Sequence, residues 1–216
     1  MQQSYQEDNL DALERIFRGS INWMNLLMIG LNVIVYFVTI KIKSSENTAY
    51  MIYYGASYAP AIRDGEWYRL LTSMFLHYDL EHLLNNMLLL LFIGDWVEGL
   101  VGKWKYIVLY LGGGLAGNVL SFLWDIRTGQ YYYSVGASGA VYAIIGALLV
   151  LLLKNKGRMK DVTASRVGVV LLLTIHHGLQ SAGIDNAAHI GGALGGMLFA
   201  LILYKKDVYD RLIEST

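Results

Sequence analysis

A serine stands in the run Gly136-Ala137-Ser138-Gly139, flanked by residues with almost no side chain. Its hydroxyl and backbone N–H are therefore both open to close approach. A serine hydroxyl becomes a nucleophile when a base sits beside it, and a histidine within hydrogen-bond reach is the commonest solution. Five histidines occur in 216 residues. His82 lies four residues before Asn86, so the two share one helical face. His189 is followed by Gly192 and Gly196 one and two turns on, and Tyr142 stands one turn after Ser138. The chemistry open to such a set is acyl transfer. Ser138 attacks, a histidine takes its proton, and an amide or a second imidazole donates to the developing oxyanion.

These polar groups sit in apolar surroundings. The chain is 55% hydrophobic and only 16% charged, too little charge for a soluble domain that must cover its core with a wetted surface. No Asp, Glu, Lys or Arg interrupts the stretches between Arg18 and Lys41, Lys105 and Asp125, Arg127 and Lys154, Arg166 and Asp185, or Asp185 and Lys205. About 20 apolar residues span the ~30 Å hydrocarbon layer as a helix, so the chain reads as an integral, multi-pass membrane protein. Six spans are expected, at 23–40, 80–97, 106–124, 135–153, 167–179 and 187–204. The organisation expected is a short cytoplasmic segment over 1–20, one six-helix domain over 21–205 and a cytoplasmic tail over 206–216. The acidic residues before the first span, with no small-residue cleavage site after it, argue for a retained span rather than a removable leader.

With an even number of spans both termini share a side. That side carries Arg15, Arg18, Lys103, Lys105, Lys154, Lys156, Arg158, Lys160, Arg166, Lys205, Lys206 and Arg211; the other carries Lys41, Lys43, Arg63, Arg69 and Arg127. The bias places both termini in the cytoplasm, and the short, basic-looped architecture points to a bacterial plasma membrane. Zero net charge gives no sign of nucleic-acid binding, and the absence of cysteine excludes disulfides and thiolate metal sites. The connection from Lys41 to Asp79 holds the only proline, Pro60, and an aromatic set of Tyr50, Tyr53, Tyr54, Tyr58, Trp67 and Tyr68. Rings of this kind favour an ordered loop at the membrane surface.

Burying an unpaired polar group costs about 2–7 kcal/mol. His82, Asn86, Ser138 and His189 are thus expected to meet around one small wet cavity rather than to face lipid separately. The small residues Gly191, Gly192, Gly195 and Gly196 match Gly139, Ala143, Gly146 and Ala147 in the small-xxx-small spacing that brings helix backbones close. That packing would hold His189 against Ser138. Each piece also has a plainer use: Gly-x-Ser-Gly as helix packing, His82 with Asn86 as an interhelical clamp, Tyr142 as filler, His176-His177 as an exposed helix end.

Taken in order, Trp67-Tyr68-Arg69, His77, His82-Leu83-Leu84-Asn85-Asn86, Gly136-Ala137-Ser138-Gly139 with Tyr142, and Ala188-His189-Ile190-Gly191-Gly192 running on to Gly195-Gly196 resemble the rhomboid proteases, and Gly94 with Glu98 resembles another feature of that family. The resemblance implies an all-α, six-helix bundle of the minimal form with a long interfacial first loop. It implies an intramembrane serine endopeptidase acting on single-span or multi-span membrane-protein substrates within the lipid bilayer. Ser138 would be the nucleophile and His189 the base, with no cofactor and no metal. Asn86, His82 and the Ser138 N–H would line the oxyanion hole. Tyr142 would pack under the His189 ring. Gly136, Gly139, Gly192 and Gly196 would support the site, while Trp67 and Arg69 anchor the first loop in the interface and His77 bonds within it. Asp95 is not part of the pattern, and Asp185, four residues before His189, is expected to be a helix cap rather than a third catalytic member.

Three other classes compete. His77-Tyr78-Asp79-Leu80-Glu81-His82 has a superficial likeness to an inverted zinc motif, but with one residue too many. A catalytically inactive rhomboid-like protein that binds and escorts membrane proteins would lack the serine or the histidine. A transporter would show membrane-buried charges and broken helices beyond Asp95.

Overall fold

A computed structural model of the chain describes residues 22–42, 48–159, 162–180 and 183–204. The expected terminal segments 1–20 and 206–216 lie outside the described residues, as do Lys43 and Lys160. Most of the described residues are helical. The first helix, α1, covers Trp23–Ile42. The connection after it carries α2 (Thr48–Tyr53), the two-residue strand β1 (Ser57–Tyr58), α3 (Ala59–Arg63) and α4 (Arg69–Thr72). Then come α5 (Leu80–Val101), α6 (Lys103–Thr128), β2 (Tyr133–Ser134) and α7 (Ser138–Lys154). A small hairpin, β3 (Arg158–Met159) with β4 (Val162–Thr163), leads to α8 (Ala164–Gln180) and α9 (Asn186–Leu203).

Among the described residues α1, α5, α6 and α9 are long and apolar enough to cross a membrane. α7 is apolar but has 17 residues, about 25 Å of rise against the ~30 Å hydrocarbon thickness. α8 also has 17 residues. α7 is the hub of the bundle, buried on nearly every side from Gly139 to Leu152, as expected of a helix that is apolar all round. α8 is its opposite. Only Ala164, Leu171 and Gly178, spaced seven apart on one narrow stripe, are buried, and Leu172, Leu173 and Leu179 are exposed.

Glycine sets how closely α9 packs. A Cβ on Gly192 would strike the Gly139 carbonyl of α7, and one on Gly196 the Ala143 carbonyl of the same helix. Gly191 and Gly195 turn instead toward α6, against Ala116, Gly117 and Gly113. The four glycines expected to face one partner are therefore two back-to-back pairs, each seating α9 on a different neighbour.

At the other end of the bundle polar groups take over. α5 widens into a π-type turn over Leu90–Gly94, a geometry that frees a backbone carbonyl. Asn25 of α1 donates its Nδ2 to that carbonyl at Leu90 (2.8 Å) and accepts at Oδ1 from Tyr106 Oη (2.6 Å). Gly94 lies against both of those atoms. Glu98 accepts from Met24 N and Asn25 N (3.2 and 2.6 Å), satisfying donors that the first turn of α1 leaves free. Asp95 accepts from Asn22 Nδ2 at 2.7 Å.

Candidate active site

Three helices begin at the same end of the bundle: α5 just before His82, α7 at Ser138 and α9 just before His189. The loop that leads into Ser138 is fixed by the first connection. β2 pairs with β1, with Ser134 opposite Ser57 and Tyr133 opposite Tyr58. Gly136 N donates to the Ser73 carbonyl (2.9 Å), and Ala137 N donates to His77 Nε2 at 3.5 Å. The first connection is held in turn by Asn118 of α6, whose Nδ2 donates to Leu70 O (2.7 Å) and Ser73 Oγ (2.9 Å).

Gly136 has a φ of +132° and lies against the His82 ring, where a Cβ would come within 2.6 Å of Cε1. Backbone angle and space both require glycine there. This turn is also why α7 starts at Ser138 and not at the expected residue 135. Ser138 takes the first helical position, so its N–H is among those that a helix start leaves without an intrahelical partner.

His189 Nε2 lies 2.8 Å from Ser138 Oγ. The Tyr142 ring stacks on the imidazole with centroids 4.2 Å apart and planes 12° from parallel. Asp185 caps α9, Oδ1 accepting from Ala188 N at 2.9 Å, and its backbone carbonyl accepts from His189 N at 3.2 Å. Its carboxylate does not take up the imidazole's other nitrogen. Nδ1 of His189 is buried with no partner among the described residues.

Asn86 is buried, and its Nδ2 donates to the His82 carbonyl one turn back (3.1 Å). An amide nitrogen carries two hydrogens, so one is left for another acceptor. Asn85 is exposed. The His82 ring is stacked against Tyr78 (5.6 Å between centroids, 24°) and met edge-on by His77 (5.0 Å). His77 is wholly buried, and that burial, with His82 beside it, lowers its pKa to about 3. It therefore stays neutral and can accept from Ala137. Its Nε2 thus reaches across to the Ser138 loop, while a hydrogen bond with the Phe75 backbone stays within the first connection.

Trp67 is exposed and meets Phe122 of α6 edge-on at 5.8 Å. Arg69 is buried. Its Nη1 donates to the Ile52 and Ala56 carbonyls (2.5 and 3.1 Å) and its Nη2 pairs with Glu66 (2.6 Å). It therefore ties the connection to itself. The Tyr68 and Arg69 hydrogen bonds to Glu66 hold that carboxyl below its usual pKa.

Sequence reasoning missed Ser73, Asn118 and Ser121. The two α6 residues carried a usable signal, a polar side chain inside an apolar stretch, the same rule that singled out Asn86.

A rhomboid domain model matches residues 64–206. The chain is 32% identical over 198 residues to rhomboid protease GluP of Bacillus subtilis (strain 168), covering 92% of this chain and 38% of that protein. It is 34% identical over 201 residues to rhomboid protease AarA of Providencia stuartii, covering 82% of this chain and 71% of that one. RHOMBOID-like protein 4 of Arabidopsis thaliana is 36% identical over 156 residues, 72% of this chain and 39% of its own length. With its apolar helices, this makes the chain an integral, multi-pass membrane protein that belongs to the rhomboid family.

Proposed function

We propose that the chain is an intramembrane serine endopeptidase that hydrolyses peptide bonds in or near the membrane-spanning segments of single-span or multi-span proteins. The observation that carries this is the 2.8 Å contact between Ser138 Oγ and His189 Nε2, with the imidazole stacked on Tyr142. Nε2 accepts the Ser138 proton as Oγ bonds to the substrate carbonyl carbon. The oxyanion is held by the Ser138 N–H, Asn86 and His82. His189 then hands its proton to the leaving amine as the C–N bond breaks. A water molecule, deprotonated by the same Nε2, hydrolyses the acyl-enzyme and restores Ser138.

The six-span topology fits this use. An α7 of about 25 Å whose basic end, Lys154, reaches the cytoplasmic surface would begin at Ser138 below the opposite surface, so water must come to it through a cavity. A helical substrate shields its own peptide bonds and must unwind first, which favours small residues at the cut and helix-weakening residues beyond it. α8, attached by one stripe, and the connection from α8 to α9 are the natural gate and cap; residues 181 and 182 of that cap lie outside the described residues. The basic residues support cytoplasmic termini, and we place the chain in a bacterial plasma membrane.

The test is cleavage of a single-span reporter in proteoliposomes. Ser138→Ala should abolish it with the fold intact, and continued cutting by the purified variant would refute the dyad. An inactive escort would bind the reporter without cutting it in the wild type.

A further inference from the structure

The mechanism above gives no task to Asp185 or Ser121, yet the two join α6 to the helix that carries His189. Besides capping α9, Asp185 accepts at Oδ2 from Ser121 Oγ at 2.6 Å. Ser121 lies in register with Gly117 and Gly113, four and eight residues earlier on α6. Gly117 packs against the Ala188 carbonyl and Gly192 N, and Gly113 lies beside Gly196 N. The face that α6 offers to α9 thus runs from Gly113 through Ala116, Gly117 and Leu120 to one directional bond at Ser121. The next residue, Asn186, donates its Nδ2 to Gly178 O of α8 (2.9 Å) and to Ile184 O (3.2 Å).

We propose that Asp185, held by Ser121, is a positioning residue that sets the rotation and height of α9 so that His189 Nε2 meets Ser138 Oγ. This rests on the dyad reading. Glycine-lined contacts set how closely α9 approaches its neighbours, but dispersion has no direction, so they favour one rotation of the helix less sharply than a hydrogen bond does. At a side-chain radius of about 5–6 Å a rotation of only ~10° moves an imidazole by about 1 Å. That displacement takes a 2.8 Å contact out of hydrogen-bond range. A hydrogen bond to a charged acceptor does resist rotation, and this one lies a single turn before His189. The carboxylate accepts from Ala188 N and Ser121 Oγ, while His189 Nδ1 has no hydrogen-bond partner among the described residues. The hydrogen bonds of Asp185 therefore reach the backbone of α9 and not the imidazole.

The experiment compares wild type, Ser121→Ala, Asp185→Ala, Asp185→Asn and the Ser121→Ala/Asp185→Ala double variant as full chains in proteoliposomes. It reads kcat and KM on a single-span reporter, together with Tm. Asp185→Ala should lower kcat by about 30–100-fold, the scale of a 1 Å misplacement, with KM within about threefold. Ser121→Ala should lower kcat in the same sense, and the double variant should fall no further than Asp185→Ala alone, since the two act as a unit. Asp185→Asn keeps an acceptor for Ala188 and offers its amide to Ser121 Oγ, so it should stay within about threefold of wild type. Wild-type kcat in Ser121→Ala, or an Asp185→Asn as slow as Asp185→Ala, would overturn the assignment. Should Asp185→Ala not fold, Ser121→Ala decides, because it removes the bond to α6 and leaves the cap in place. A Ser138→Ala control separates the two failures. If it still cuts, the dyad reading falls; if it is silent while Ser121→Ala runs at full rate, only the positioning role falls.

Discussion

Gly192→Ala is the smallest change that probes whether α9 must press on α7 for His189 to work. Gly192 stands three residues after His189, and a Cβ there would collide with the Gly139 carbonyl oxygen and lie 2.9 Å from the carbonyl carbon and 3.2 Å from Cα. All three are backbone atoms and cannot rotate away. Relief requires α9 to retreat from α7 by about 1 Å, the difference between these separations and ordinary carbon contact near 3.5–4.0 Å. The retreat carries His189 with it and stretches the 2.8 Å bond to Ser138 past useful length. A 1 Å misplacement costs on the order of 10²-fold, so kcat/KM on a single-span reporter should fall by about that factor. Overpacking of this kind typically costs about 1–3 kcal/mol, so Tm should fall as well. Gly30→Ala, where nothing lies within 4 Å of the added methyl, is the matched control; it should leave activity unchanged and should not lower Tm. If Gly192→Ala keeps activity within threefold and an unchanged Tm, the close approach of these helices does not place the imidazole.

Two further outcomes follow from the same geometry. Asn86→Ala should lower kcat by about 10²–10³-fold if its free amide hydrogen meets the oxyanion, and steady-state kinetics showing an unchanged kcat would move that role to His82 or the Ser138 N–H. His77 has a folded pKa near 3 against an ordinary value of 6.5. A depressed folded value means that the unfolded chain binds the proton first, so the stability His77 contributes is whole above pH 6.5 and drains away as pH falls toward 3. By pH 5 the loss is about 2 kcal/mol. Tm measured from pH 7.5 to 4.5 should drop more steeply for wild type than for His77→Asn, and parallel curves would contradict this.

How much of this could be read from residues alone varies from place to place. Ser138, Tyr142 and His189 stood out because polar groups in apolar helices have few places to go, and the structure brings all three together. The facing of the glycines did not, because α9 is apolar all round and hydropathy then says nothing about which side meets which neighbour. Gly191 and Gly195 on α6, against Gly192 and Gly196 on α7, is a difference that only packing decides. The start of α7 was misjudged by three residues, since Val135 fits the apolar pattern while the turn at Gly136 depends on Ser73, His77 and His82 from far along the chain. The resemblance casts Arg69 as an anchor of the first loop, but only the structure shows that it does so through the Ile52 and Ala56 carbonyls. The ends of α6 run beyond the expected 106–124 because a charged residue at a membrane boundary does not stop a helix.

The most direct measurement is covalent labelling by a serine-directed fluorophosphonate, followed by peptide mapping of the purified protein in detergent. A single adduct on Ser138 is expected, formed by wild type and lost in both Ser138→Ala and His189→Ala. An adduct that persists in His189→Ala at the wild-type rate, or one that forms on a different residue, would contradict the dyad assignment.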